Sequence, residues 1–210
     1  MITMRTKIIA EIGVNWRDLN EADIMIQEAV LAGADIAKFQ AYPLDLFPEG
    51  TTLNKIALKP ADCAYLYYRC HSHGIEFMCT PMYPEAVAML NPYVERWKIR
   101  HKDAFNNDIL IRAAMTSKPL LISGRNLYCV PEYPPLVQPI EEIPFPFIGV
   151  SSHYPNVPTL LYWAQQGLQY MEVHVKRDEH YGGWCPPDNN VSITMSELGD
   201  LCDFVGEYYG

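Results

Sequence analysis

The sequence predicts an α/β fold, a TIM-type (β/α) barrel of reduced outline, on three observations. Short apolar runs with strand character alternate with amphipathic stretches along the 210 residues, and such alternation builds a parallel sheet with helices outside it. About eight strand-like runs fit a closed barrel at the small end of the known size range. Polar and charged residues recur at the C-terminal ends of those runs, the end where barrels of this type carry their chemistry.

Taken in order, Lys7–Val14 reads as the first strand. Glu21–Ala32 has helical periodicity, with Asn20 as its N-cap and Gly33 as its stop. Asp35–Tyr42 is the next strand, and Leu44–Lys59 mixes polar and apolar residues as a loop. Pro60–His73 is a helix, with Pro60 suited to a first turn and Gly74 to an end. Glu76–Met82 is a strand, Pro84–Leu90 a short helix and Arg96–His101 a strand. Asn106–Thr116 is helical and Pro119–Gly124 extended. Phe147–His153, Val157–Gln166, Tyr170–Val175 and Met195–Tyr208 continue as strand, helix, strand, helix.

The segment 124–146 breaks the rhythm. Only Gly124-Arg125-Asn126 separates one strand from the apolar run Leu127–Val130. Three residues reach at most about 10–11 Å, whereas a buried strand spans about 17–20 Å. The chain cannot return to the bottom of the barrel and climb again as a full parallel strand, so Leu127–Val130 is expected to be antiparallel, short or outside the sheet. Pro131, Pro134, Pro135, Pro139, Pro144 and Pro146 oppose a full helix before Phe147. Outer helices are therefore expected to be missing around residues 124–146. The bare flank would then need a cover, most economically a second copy of the chain in a homodimer.

Composition sets the outer bounds. A chain of 210 residues that is 49% hydrophobic can bury one core, so residues 1–210 are read as a single domain. The net charge of −9 provides no basic stripe for nucleic acid. No apolar run reaches the length of a membrane span, and the N-terminus lacks the layout of a signal peptide. The cysteines at 63, 70, 79, 129, 185 and 202 show no C-x-x-C spacing. They read as free thiols of a cytoplasmic protein.

Two constellations carry chemistry. Ser151-Ser152-His153 and Glu172-Val173-His174 each end an apolar run, one helix-sized gap apart. Residues two apart on a strand share a face, so both tripeptides can turn polar groups to one side at neighbouring strand ends. Either histidine alone is more simply a hydrogen-bonded core residue. As a pair at matching strand ends, His153 and His174 suit a divalent metal. The second constellation is anionophilic. Lys38, Thr80, Lys98, Ser123 and Ser151 come from five strand ends, and two ammonium groups with hydroxyls around one mouth suit a small molecule bearing phosphate and carboxylate. Glu11 and Gln40 lie at strand ends of the same kind.

The sequence also resembles a family. Ile9-Ala10-Glu11-Ile12-Gly13-Val14-Asn15, Gly33-Ala34-Asp35-Ile36-Ala37-Lys38-Phe39-Gln40, Gly74-Ile75-Glu76-Phe77-Met78-Cys79-Thr80-Pro81, Trp97-Lys98-Ile99 and Glu172-Val173-His174 look like successive motifs of the N-acetylneuraminate (sialic acid) synthases. Cys129-Val130-Pro131-Glu132-Tyr133-Pro134 and Pro187-Asp188 look like two more, in matching order across nearly the whole chain. The resemblance covers the catalytic barrel only; the family's antifreeze-like C-terminal domain is not expected within the 210 residues.

The resemblance implies condensation of phosphoenolpyruvate with an N-acylated amino sugar, giving a sialic acid-type 2-keto sugar acid and phosphate. It implies a divalent metal, Mn2+ or Mg2+, on His153 and His174. It implies phosphoenolpyruvate on Lys38, Thr80, Lys98, Ser123 and Ser151 with Tyr133 nearby, and catalytic roles for Glu11, Lys98, Glu172 and Asp188. The chain departs from the family at Arg100-His101-Lys102-Asp103, where His101 replaces a phosphate-binding serine; at Ser151-Ser152-His153, which loses an acid; and at Asn189, where the family has histidine. Two rival readings stand beside this one. One is another metal-dependent barrel aldolase or isomerase acting on a sugar. The other is a non-catalytic relative that binds an anion or a partner.

Overall fold

The computed structural model describes residues 5–51, 54, 56–135, 142–179 and 183–209. Nine strands alternate with helices among them. The first half runs β1 Lys7–Gly13, α1 Leu19–Leu31, β2 Ile36–Ala41, α2 Pro60–His73, β3 Glu76–Pro81, α3 Pro84–Leu90, β4 Trp97–Ile99 and α4 Asn107–Ala114. The second runs β5 Leu120–Ile122, β6 Leu127–Tyr128, β7 Gly149–Ser152, α5 Val157–Ala164, β8 Tyr170–Lys176, β9 Ser192–Thr194 and α6 Met195–Tyr209. Every ladder is parallel. One sheet runs β3-β2-β1-β8-β7-β6, with β9 added to β8, and β4 pairs with β5. A bridge from Ser123 to Leu127 joins β5 to β6, and β4 packs beside β3. Strands β1–β8 thus go round a barrel whose ladder, among the described residues, is interrupted between β3 and β4.

Strand periodicity divides the core into two parts. Outward side chains such as Ile8, Ala10, Ile12, Ala37, Phe39 and Phe77 pack with α1, α2 and α6 in the larger apolar cluster. Inward side chains Ile9, Ile36, Met78, Leu121 and Leu127 form a second, separate cluster inside the barrel, with Ile148 and Tyr170 against it. This plug fills the lower barrel, each fully buried side chain contributing about 1.5–3 kcal/mol. Two residues further along the same strands the inward face turns polar: Glu11 follows Ile9, Lys38 follows Ile36, Thr80 follows Met78, Ser123 follows Leu121 and Glu172 follows Tyr170. The plug is therefore the floor on which the polar layer stands.

Helix boundaries follow local chemistry. The N-cap of α1 is Asp18 rather than Asn20: its carboxylate accepts from the amides of Asn20 at 2.9 Å and Glu21 at 3.0 Å. Glu21 reaches back to the Arg17 amide at 2.8 Å, a reciprocal arrangement that satisfies the amides left free at a helix start. Pro60 opens α2 and Gly74 closes it in the left-handed conformation, at φ 76°. The strand expected over Arg96–His101 is only Trp97–Ile99, because His101–Asp103 coil into a 3-10 turn. The short β9 was not expected, and Asn15 Nδ2 ties it to the barrel by bonding both Val175 O at 2.8 Å and Ser192 Oγ at 2.9 Å.

The break after β5 takes one of the forms that chain reach allowed. Leu127–Tyr128 is short, two residues long, and lies parallel to β7; the antiparallel alternative does not occur. The link Ser123–Asn126 leaves the lower edge of β5 without a strand, and Asn126 supplies the missing groups. Its Oδ1 accepts from Ile122 N at 2.6 Å, its Nδ2 donates to Leu120 O at 2.7 Å, and its carbonyl accepts from Ile148 N at 2.9 Å. One carboxamide thus stands in for a peptide of the absent strand. No helix occurs among the described residues 129–135 and 142–148; the rest of the segment expected to lack helices, 136–141, lies outside the described residues. In and beside α4, Phe105 (76%), Ile111 (57%) and Met115 (80%) are exposed.

Asn126→Ala should lower stability by about 2–4 kcal/mol, because two backbone groups of β5 lose their partners. Urea unfolding measures this, and a loss under about 0.5 kcal/mol would show that water or a shifted strand replaces the carboxamide.

Candidate active site

The polar layer opens into a cavity of about 400 Å³ at the C-terminal ends of the strands, within the range for small-molecule sites. Every residue singled out from sequence lines it. Glu11, Lys38, Thr80 and Lys98 come from one arc of strands, and Ser123, Ser151, Glu172 and His174 from the other. His153, Tyr133 and Asp188 stand on the connections above.

The floor is a charge network with two ammonium and two carboxylate groups, all buried. Lys38 meets Glu11 directly and lies 3.6 Å from Glu172 Oε1. Lys98 Nζ is 3.2 Å from the same oxygen and donates to Ser123 Oγ at 2.8 Å. Ser151 Oγ donates to Glu172 Oε1 at 2.9 Å. Backbone register puts these groups together, since Glu11 pairs with Lys38 across β1 and β2, and Ser151 with Glu172 across β7 and β8. Burial lowers the Lys38 ammonium to about 8, with Lys98 adding repulsion and Glu172 opposing both. Burial alone would raise Glu172; Lys38 and Lys98 outweigh it and hold the carboxylate below its usual range. Thr80 Oγ1 and Glu172 Oε2 are buried, with no hydrogen-bond partner among the described residues. Unmet polar atoms facing a cavity suit a polar ligand.

Above the floor the two histidines stand together. Their ring centroids are 5.4 Å apart, and the Tyr133 ring lies 4.8 Å from His153 and 5.7 Å from His174. His153 Nδ1 is 3.1 Å from Val130 O. His174 Nδ1 is 3.2 Å from Asp188 Oδ2, a charge contact without the alignment of a hydrogen bond. Acceptors beside Nδ1 favour the tautomer that leaves Nε2 free to ligate. Burial, with repulsion from His174, depresses His153 to about 4, so it is neutral at pH 7, the form that binds metal. Burial would raise Asp188, but His174 and a hydrogen bond from Tyr133 bring it below its usual range. Burial and the Asp188 carboxylate push the Tyr133 phenol up, so it remains a donor. Among the described residues no three His, Cys, Asp or Glu side chains group closely enough to hold an ion. The nitrogen donors that an ion would meet here are the two imidazoles, His153 and His174.

Several lining residues escaped assignment from sequence: Tyr42, Met82, Cys129, Pro131, and the basic stretch Arg100, His101 and Lys102. The last three appear in sequence only as departures from a motif. The 3-10 turn points them into the mouth. His101 packs on the backbone at Gly124, where an added Cβ would lie 2.5 Å from the ring's Cδ2, so that turn requires glycine. Cys129 lies among Lys98, Glu172, Ser123 and Ser151, and burial raises its thiol; it is a packing group rather than a thiolate.

Lys38→Met should cost about 3–5 kcal/mol, because Glu11 is left buried without its cation. Adding Glu11→Gln should recover most of that loss. The sign of the pH effect follows from the depressed Lys38 value. Between about 8 and 10.5 the unfolded state binds the extra proton, so the wild type gains stability relative to the double variant as pH rises through this window. Denaturant melts at pH 7.5 and 10 measure both effects; equal stabilities for the single and double variants would show that the pair is not coupled.

Residues 48–125 match the model of the NeuB family, and no curated protein matches the chain in sequence. Among solved structures, N-acetylneuraminic acid synthetase from Leptospira borgpetersenii serovar Hardjo-bovis, in complex with citrate, superposes with a TM-score of 0.73 at 23% identity. The match covers 99% of this chain and 85% of that one. Spore coat polysaccharide biosynthesis protein SpsE of Bacillus subtilis gives 0.77 at 21% identity, over 97% and 68%. A truncated 3-deoxy-D-arabino-heptulosonate 7-phosphate synthase from Thermotoga maritima gives 0.68 at 13%, over 96% and 86%. Residues 48–125 thus match the NeuB family, in line with the resemblance read from the motifs, and over nearly its whole length the chain has the barrel fold these structures share.

Proposed function

We propose that the protein joins phosphoenolpyruvate to the aldehyde carbon of a sugar, forming a 2-keto sugar acid and releasing phosphate. The observation that carries this reading is the inward layer itself. Lys38, Lys98, Thr80, Ser123 and Ser151 converge on one floor, with the imidazoles of His153 and His174 directly above it. The floor suits a small dianion or trianion, since charge-assisted hydrogen bonds from two ammonium groups are strong where water is excluded. The Leptospira structure was determined with citrate, a small polycarboxylate.

In this reading phosphoenolpyruvate lies on the floor, and the aldehyde enters from the mouth, between Tyr133 and the histidine pair. The methylene carbon of phosphoenolpyruvate bonds to the aldehyde carbon, whose oxygen takes up a proton; water adds with loss of a proton at the neighbouring phosphate-bearing carbon, and phosphate departs from that carbon with its bridging oxygen, leaving the 2-keto group. Holding both reactants face to face removes much of the entropic barrier. Glu172, fixed between Lys38, Lys98 and Ser151, stands where positive charge develops as the new bond forms. Lys98, hydrogen-bonded to Ser123 Oγ, lies beside the leaving phosphate. Glu11 and Asp188 carry the carboxylates that can accept protons from water or sugar hydroxyls. A manganese or magnesium ion on His153 and His174, when bound, would polarise the aldehyde oxygen. The sequence resemblance suggests an N-acylated amino sugar as acceptor. A second copy of the chain is the expected cover for the flank at residues 124–146, and light scattering at micromolar concentration should give a dimer; a monomer there would reject it.

The decisive test follows phosphate release from phosphoenolpyruvate with candidate aldoses and Mn2+. Lys38→Ala and Lys98→Ala should each weaken phosphoenolpyruvate binding by about 1.5–3 kcal/mol in calorimetry. His153→Ala with His174→Ala should abolish stoichiometric metal while circular dichroism stays unchanged. Turnover of a sugar without phosphate release would instead indicate an aldolase or isomerase. Equal phosphoenolpyruvate affinity in wild type and both lysine variants would reject the anion floor.

A further inference from the structure

Asp188 stands on the connection between β8 and β9, yet its main chain is held on both sides. Its amide donates to Asn15 Oδ1 at 2.9 Å, and its carbonyl accepts from Ser192 Oγ at 2.7 Å. The same Asn15 donates through Nδ2 to Ser192 Oγ at 2.9 Å and to Val175 O at 2.8 Å. Val175 follows His174 on β8. One carboxamide and one hydroxyl therefore lock the backbone of Asp188 to the strand that carries His174. Asn15, Ser192 and Asp188 are all buried, so water competes little for these bonds.

Asn15 is itself fixed by the turn that ends β1. Gly13 takes the left-handed conformation at φ 54°. Asn15 N donates to Ile12 O at 2.9 Å, and Trp16 Nε1 donates to Gly13 O at 3.0 Å. The glycine also makes room. A Cβ there would lie 3.0 Å from Glu11 Oε1 and 3.4 Å from Asp188 Oδ2, so Asp188 folds its carboxylate over bare backbone. Oδ2 comes to rest 3.2 Å from His174 Nδ1, in the cavity lining. That contact lacks the alignment of a hydrogen bond, so the place of the carboxylate depends on the backbone behind it and on the Tyr133 phenol. The asparagine suits its post because one planar amide presents a donor to Val175 O and Ser192 and an acceptor to the Asp188 amide. The lysines and hydroxyls of the floor lie on or next to β2–β5 and β7, whereas the clamp joins the end of β1 to β8, β9 and the connection between them.

We propose that Asn15 and Ser192 are positioning residues for the acceptor half of the reaction. Their clamp sets the Asp188 carboxylate beside His174, where it can take a proton from water or from a hydroxyl of the bound sugar. This rests on the condensation reading above and goes beyond it by dividing the site: the clamp serves the acceptor, and the phosphoenolpyruvate floor does not depend on it. A group displaced by about 1 Å can cost on the order of 100-fold in rate, and a loop residue keeps its place only as well as its backbone is held.

The test compares two variants. Ser192→Ala removes one bond to Asp188 and leaves its carbonyl a second donor, Val191 N at 3.1 Å. Asn15→Ala removes all three bonds of the carboxamide. Phosphate release at saturating phosphoenolpyruvate gives kcat/KM for the sugar. It should fall about threefold or more in Ser192→Ala and about tenfold or more in Asn15→Ala, as loss of buried hydrogen bonds predicts. Phosphoenolpyruvate affinity in calorimetry should stay within about twofold of wild type, and Asp188→Asn should show the same split. Loss of phosphoenolpyruvate affinity in step with the sugar's kcat/KM would leave the clamp a purely structural role and overturn the proposal. Sugar kinetics within about twofold of wild type in both variants would overturn it too. Should Asn15→Ala fail to fold, Ser192→Ala decides alone. If the wild type releases no phosphate with any aldose, the condensation reading falls, and crystal structures of the variants decide the clamp. Asp188 Oδ2 moved beyond about 4 Å from His174 Nδ1 supports it, and an unmoved carboxylate overturns it.

Discussion

The cavity depends on four buried charges that hold one another in place. Glu11, Lys38, Glu172 and Lys98 lie almost entirely out of water, where a lone ammonium or carboxylate would cost several kcal/mol. Each is set beside neighbours of the opposite sign. Strand register makes this possible: Glu11 lies opposite Lys38 and also opposite His174, so β1 joins the charge network to the histidine pair. A ligand anion entering such a network does not find free cations. It competes with Glu11 and Glu172 for the two lysines, and its gain comes from the extra donors, the hydroxyls of Thr80 and Ser123, that the carboxylates leave unused. The network is thus both a fold element and a set point for ligand affinity.

Much of this was legible in the sequence because a strand's period is two. Ile9 with Glu11, Ile36 with Lys38, and Tyr170 with Glu172 each pair a plug residue with a layer residue on one face. A charged residue inside an otherwise apolar strand can only point inward or be unfolded, so the polar layer was readable strand by strand. The alternation of elements likewise fixed the parallel sheet, since each helical stretch is long enough to return the chain to the starting end. The length of the link after β5 limited β6 by reach alone.

What could not be read depends on contacts between segments far apart in sequence. The cap of α1 falls on Asp18 because its carboxylate satisfies two amides at once, and Asp18 and Asn20 are equally good caps by residue type. The direction of β6 was left open because reach limits length but not orientation. The bridge to Ser123 on one side and the ladder to β7 on the other decide it as parallel. Short β9 needed Asn15, more than a hundred residues earlier, to anchor it. Arg100, His101 and Lys102 carried no periodic signal, because a 3-10 turn places consecutive side chains by its own geometry rather than by the strand's.

The reduced half of the barrel follows from the same constraint of reach. The four-residue link Ser123–Asn126 is too short to carry a helix between β5 and β6, and the lower edge of β5 would expose its backbone groups. Asn126 meets that need with the two polar atoms of one side chain, placed at the spacing a neighbouring peptide would offer. Because the compensation is local, the upper ends of β5 and β6 keep the alignment that a complete ladder would have given them. The bridge at Ser123 survives, and Lys98 keeps its hydrogen bond to Ser123 Oγ. The site therefore tolerates loss of the outer layer, because the inward layer that forms it is held by register at the top of the strands, and the missing helices would have packed on the opposite face.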